Sequence, residues 1–136
     1  MKHTISKVLV ANRGEIAIRI FRTLRAMGIR SVAIFSADDA DALHVSSADE
    51  SYLISGTSLA DNYLNQQRII QIAIQAGVDA IHPGYGFLSE SHTFSKAVRQ
   101  AGLIFIGPGD EAIRLMGNKV EARKRVQKLG VPLIRS

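Results

Sequence analysis

The residues best suited to chemistry sit in three glycine-containing loops and at one lysine. Asn12-Arg13-Gly14 separates a short apolar run from an amphipathic one. A loop in that place offers a helix N-terminus to an anion or nucleotide; otherwise it is a tight turn whose Arg13 anchors the fold. The second loop is His82-Pro83-Gly84-Tyr85-Gly86-Phe87-Leu88-Ser89-Glu90-Ser91. Its glycines around Tyr85 give a backbone that a ligand can approach closely, with one aromatic wall. No carboxylate is spaced to orient His82, which reads as a structural histidine rather than a catalyst. Gly107-Pro108-Gly109 is the third loop. Lys119, after Met116-Gly117-Asn118, opens the last helix, where its charge opposes the helix dipole. A phosphate held between its ammonium and nearby N–H groups would explain that placement, although composition by itself favours a solvated lysine.

Other chemistries are excluded. The first loop has only Gly14, so it is no G-x-G-x-x-G fingerprint, and no G-x-x-x-x-G-K-[ST] phosphate loop occurs. With no cysteine there is no disulfide framework, zinc ribbon or thiol nucleophile, and no metal site is expected within the chain.

The elements that must position these loops follow from the apolar pattern. Lys7–Ala11 is one buried strand. Ile16, Ile20, Leu24 and Met27 then recur at helical spacing, widened by Ala17 and Phe21. Glu15 lies in that helix's first turn and Gly28 stops it. Ser31–Phe35 is a second strand, Ser36–Asp41 an acidic turn, Leu43–Ala48 a short helix and Ser51–Ile54 a third strand. Asn62–Ala76 is a helix closed by Gly77, and Asp79–His82 a fourth strand. Ser89–Ala101 is a helix capped by Ser89 and closed by Gly102, and Leu103–Ile106 a fifth strand. Asp110 caps a further short helix, and Val120–Leu129 is the last, closed by Gly130. Strands alternate with helices and read as near-continuous apolar runs, as strands covered on both faces do. The fold class is α/β, an open parallel sheet flanked by helices with right-handed crossovers. In such sheets ligands sit beyond the carboxyl ends of the strands, where all three loops fall.

The 136 residues are enough for one domain, and a hydrophobic fraction of 46% with 21% charged residues is that of a globular protein. No apolar run is long enough to span a membrane, and the N-terminus lacks a signal-peptide h-region, so a cytoplasmic protein is expected. The net charge of +5 has a local origin: six of the 17 Lys and Arg but only one of the 12 Asp and Glu lie in residues 119–136. That cluster contains no aromatic residue, so it reads as a solvated helix face or a surface for an acidic partner rather than a nucleic-acid site. Val131-Pro132-Leu133-Ile134 reads as the start of a new strand or linker, so the chain is expected to be the opening part of a longer one.

Five segments together resemble one family: Val10–Ala17 (VANRGEIA), Ala48-Asp49-Glu50, Ala80–Glu90 (AIHPGYGFLSE), Ile104–Pro108 (IFIGP) and Met116–Lys119. In order and spacing they resemble the N-terminal part of biotin carboxylase, the component found in acetyl-CoA, propionyl-CoA and methylcrotonyl-CoA carboxylases and in pyruvate carboxylase. The resemblance implies a Rossmann-like pre-ATP-grasp domain over residues 1–117, followed at 118–136 by the first helix of an incomplete ATP-grasp region. It implies use of MgATP and bicarbonate to form carboxyphosphate, and carboxylation of biotin on a carrier protein or domain. Lys119 would contact ATP phosphates, Tyr85 and Gly86 would lie beside the biotin end of the site, and Arg19 and Arg22 near a homodimer interface. The chain departs from the family at Asn118, usually Asp, at Ser91, usually Asn, and at Ala26, which replaces a glutamate of some members. Ile113–Gly117 is more similar to the acyl-CoA carboxylases than to pyruvate carboxylase.

The family's glycine-rich lid, its acidic Mg²⁺ ligands and the Lys and Arg residues that hold bicarbonate and activate biotin belong to later regions. No catalytic residue is therefore expected within this chain, nor tight binding of ATP, Mg²⁺ or biotin by it alone. Its partners would be the remaining ATP-grasp and C-terminal parts of the carboxylase and the biotin carrier, with no nucleic acid or membrane. The alternative is a non-catalytic regulatory module that pairs with a full-length carboxylase. A generic nucleotide-binding domain ranks third, since the dinucleotide fingerprint is missing.

Overall fold

Residues 7–10 alternate between two cores. Val8 and Val10 face a core with Ala17, Phe21 and Leu24, whereas Leu9 faces one with Ile34, Ile72, Ile81 and Phe94. All of these side chains are buried, and each of them except Ala17 contributes roughly 1.5–3 kcal/mol on leaving water. A strand buried on both sides is thus the centre of the molecule. The computed structural model describes residues 5–54 and 62–107.

The elements are β1 (Lys7–Val10), α1 (Gly14–Ala26), β2 (Arg30–Phe35), a 3₁₀ turn (Ala37–Asp39), α2 (Leu43–Ser47), β3 (Glu50–Leu53), α3 (Gln66–Ala76), β4 (Ala80–His82), α4 (His92–Gln100) and β5 (Ile104–Phe105). The sheet runs β3-β2-β1-β4-β5 and every pairing is parallel. The inward residues of α1 share one core with Ala33, Ala80 and Ile106. Those of α3 and α4 share the other, closed by an edge-to-face contact of Phe94 and Phe105 at 5.9 Å. The expected open parallel α/β sheet flanked by helices is therefore present, and none of its described helices is long and apolar enough to cross a membrane.

Gly28 stops α1 as read from the sequence: its φ of 76° lets the Ile29 N–H reach the Leu24 carbonyl at 2.9 Å. Gly77 and Gly102 close α3 and α4 in the same way. Other boundaries move, and each shift has a local cause. α3 starts at Gln66 and not at Asn62, because Asn65 caps it, its side chain accepting the Arg68 N–H at 3.1 Å. Residues 62–64 instead form a turn. Ser91, not Ser89, caps α4 by accepting the Phe94 N–H at 3.1 Å, while the Ser89 N–H is used within the preceding turn by Gly86 O. β3 is not covered on both faces: it is a sheet edge, and Ser51 and Leu53 are exposed. The helix expected at Val120–Leu129, the cap at Asp110, the boundary at 117/118 and the segment 131–134 lie outside the described residues.

At the N-terminal ends of the strands, charged groups tie neighbouring elements. The Asp79 carboxylate accepts from the Ser6 N–H (2.8 Å), the Ser6 hydroxyl (2.9 Å) and the Lys7 N–H (3.0 Å). Burial pushes this carboxyl up, but those donors and the Lys7 charge together hold it below its ordinary value. Lys7 Nζ also meets Glu50 at 2.8 Å, and with Arg30 and Tyr52 it holds Glu50 low. These contacts set the sheet's register at the end opposite the loops.

Candidate functional site

In this strand order the chain leaves β1 toward β2 on one side and returns from β3 to β4 on the other. The loops after β1 and β4 therefore border the switch point, where open α/β sheets bind ligands. Two of the three loops singled out from sequence meet here.

Asn12 joins them. Its side chain is buried, and Nδ2 donates to the carbonyls of Pro83 (2.8 Å) and Tyr85 (2.6 Å). Oδ1 accepts the Arg13 N–H at 2.9 Å. His82 holds the same loop from the strand end, its Nδ1 accepting the Gly84 N–H at 3.1 Å. That contact places the neutral ring's proton on Nε2. Burial lowers the His82 pKa, which fits the reading of a structural histidine. The loop backbone enters the left-handed region at Gly84 (φ 69°), Gly86 (φ 65°) and Phe87 (φ 48°). Phe87 is anchored against Tyr63, with ring centroids 5.6 Å apart. Tyr85 is 79% exposed.

Arg13 turns inward, as in the fold-anchoring alternative. Its Nε and Nη2 each donate to Asp39 at 2.6 Å, a bidentate pair, and its guanidinium carbon lies 5.8 Å from the centre of the Tyr63 ring. The Tyr63 hydroxyl donates to Asp39 at 2.6 Å and accepts the Ser36 N–H. The Arg13 guanidinium, opposed by burial and assisted by Tyr63, brings the Asp39 carboxyl down to about 2. Asp39 in turn raises Arg13 above its usual range, and burial with Asp39 raises the Tyr63 phenol. The loops after β1, β2 and β4 are thus tied through one chain of contacts: Arg13, Asp39, Tyr63 and Phe87.

His44 fixes the start of α1. It is fully buried, its Nδ1 accepts the Gly14 N–H at 3.3 Å, and its Nε2 meets the Ile34 carbonyl at 3.1 Å. The tautomer carrying the proton on Nε2 satisfies both contacts. One of the free N–H groups of the helix N-terminus is therefore used by the protein itself.

Arg19 and Arg22 are exposed on α1, away from its buried Ala17, Phe21 and Leu24, and do not join the loop cluster. Gly107 abuts Phe105, whose ring carbon would lie 2.5 Å from an added Cβ. Lys119, Asn118 and Gly109 lie outside the described residues. Among the described residues no group of three or more His, Asp or Glu is placed to hold a metal ion. Asn12, Asp39, His44 and Tyr63 were not singled out individually from the sequence. The cluster contains no paired nucleophile and base: its charges are mutually satisfied, and it is built to hold a loop that presents Tyr85.

Comparison with known proteins gives the family. Residues 4–113 match the family model described as biotin carboxylase, N-terminal domain. A biotin carboxylase of Halalkalibacterium halodurans is 55% identical over 128 residues, 94% of this chain and 28% of that protein. The solved biotin carboxylase subunit of a pyruvate carboxylase is 51% identical, with a TM-score of 0.74 over 97% of this chain and 29% of that one. The biotin carboxylase domain dimer of Hydrogenobacter thermophilus 2-oxoglutarate carboxylase, solved with MgADP, ADP and bicarbonate, is 45% identical. Its TM-score is 0.74 over 96% of this chain and 28% of that one. The chain thus spans less than a third of each relative. A family match over residues 4–113, most of the chain's length, means that this chain belongs to the biotin carboxylase N-terminal domain family.

Proposed function

We propose that the chain is the N-terminal part of a biotin carboxylase, an ATP-dependent ligase that carboxylates biotin on a carrier protein or domain at the expense of MgATP and bicarbonate. The observation that carries this reading is the anchored loop at the switch point, with Asn12 and His82 holding its backbone and Tyr85 left exposed. Tyr85 and Gly86 form one wall of the biotin end of the site. Lys119, in the ATP-grasp segment that begins at 118, contacts the ATP phosphates. The exposed Arg19 and Arg22 belong to a homodimer face on α1.

Carboxyphosphate formation needs cations bridging the phosphates and preorganised positive charge on the reacting groups. Arg13 is committed to Asp39, so its guanidinium is not available for that role. The chain spans less than a third of its relatives, and in this reading the chemistry uses the remainder of the carboxylase while these residues shape one wall. The test is bicarbonate-dependent ADP release from MgATP, measured for the chain alone and for the complete carboxylase. Turnover is expected only in the latter. Turnover by the chain alone, abolished in Lys119→Ala, would overturn the reading.

A further inference from the structure

We infer that Asn12 is a positioning residue for biotin, acting through the Tyr85 loop and not by touching substrate; its functional consequence rests on the proposed placement of Tyr85. The loop backbone is strained, with Phe87 in the left-handed region at φ 48°, where a bulky residue is held only by its surroundings. Phe87 and the buried Leu88 belong to the core beneath the loop, and the Gly86 carbonyl accepts the Ser89 N–H at 2.9 Å. Phe87 packs on Tyr63 beyond Tyr85 in the chain, and the Gly84 N–H is held by His82 before it. Between these anchors, the contact that reaches the main chain of Tyr85 is Asn12 Nδ2, at 2.6 Å, through a group that also holds Pro83. Gly84 closes against the same amide so tightly that an added Cβ would stand 2.7 Å from Nδ2. One amide thus sets the height of the loop over the β1–β4 crevice and the direction in which the exposed Tyr85 ring leaves it. A small displacement of a positioning group is enough to change productive binding strongly.

The test compares Asn12→Ala with Tyr85→Ala in the complete carboxylase, with biotin and MgATP varied separately. Asn12→Ala is expected to raise the KM for biotin about tenfold while the KM for MgATP stays within about twofold. General destabilisation of the domain would not make that split. A raised biotin KM in Tyr85→Ala with none in Asn12→Ala would overturn the inference and leave the Tyr85 reading standing. If neither variant moves the biotin KM, the Tyr85 reading fails, and amide exchange in the 136-residue chain decides the role of Asn12 in holding the loop. There Asn12→Ala should speed exchange of the Gly84 and Ser89 amides about tenfold while β1 amides stay protected. Unchanged loop exchange would refute that role. If Asn12→Ala does not fold, Asn12→Ser is measured in its place, with the same outcomes read the same way.

Discussion

A Cβ on Gly84 would stand 2.7 Å from the side-chain amide nitrogen of Asn12, a residue 72 positions earlier in the chain. The same glycine has a φ of 69°, so any side chain there is strained twice, by its backbone and by its neighbour. Gly84→Ala is expected to destabilise the chain by about 1–3 kcal/mol, measured by urea denaturation. Gly86 also has a positive φ, but open space surrounds it, so Gly86→Ala should cost less, about 1 kcal/mol. Equal costs would show that the contact with Asn12 is unimportant.

The Arg13–Asp39 pair gives a stability signature in acid. The folded Asp39 carboxyl titrates at about 2, below its ordinary 3.8. A depressed carboxyl stabilises the fold above its unfolded value, and that contribution is lost as pH falls through the folded one. Stability should therefore drop between about pH 4 and pH 2. Because the Arg13 side chain is 47% exposed, the Asp39 share is about 1–2 kcal/mol. Asp79 and Glu50, also held low, add slope of the same sign. Asp39→Asn should be less stable at neutral pH and show a shallower acid slope. An unchanged slope would refute the pairing.

His82 acts at higher pH. Burial lowers its pKa, so below about 6.5 the unfolded chain binds a proton that the folded chain resists. Stability contributed by the neutral ring is therefore lost as pH falls from about 6.5 toward the folded value. The urea midpoint of the native chain should fall between pH 7 and pH 5, and that fall should be smaller in His82→Gln. A parallel fall in both proteins would contradict this.

His44 bridges the start of α1 and β2 by hydrogen bonds. In His44→Leu the Gly14 N–H and the Ile34 carbonyl lose their partner, at an expected cost of about 1–3 kcal/mol in thermal or urea unfolding. His44→Gln retains one donor and one acceptor and should recover part of the loss. If Leu and Gln cost the same, burial of the ring matters and its hydrogen bonds do not.

The sheet and the loops were legible because they depend on local pattern. The apolar run at 8–10, the helical spacing from Ile16 and the glycine stops at 28, 77 and 102 are each determined by near neighbours. The helix starts at Gln66 and His92 were less legible. Asn62 and Asn65 are both helix-start residues by type, as are Ser89 and Ser91, and the local turns ending at Asn65 and Ser89 delay each start. The alternation in β3 was missed because nothing in Ser51–Ile54 marks it as an edge. The cluster around Arg13 was out of reach for another reason. Arg13 reads as an anchor in the sequence, but Asp38, Asp39 and Asp41 stand together there, and only the fold brings Asp39 to Arg13 and Tyr63. Asn12 reads only as part of a turn, since its partners lie in a loop some 70 residues away.

The most direct test of the central claim, that this chain is one wall of a composite site, is calorimetric titration of the 136 residues with MgATP, repeated on Lys119→Ala. The expected result is no saturable heat from either protein, because one lysine without the rest of the carboxylase cannot hold the phosphates and their metal. Saturable binding by the native chain that disappears in Lys119→Ala would contradict it, and would make the chain a nucleotide-binding module in its own right.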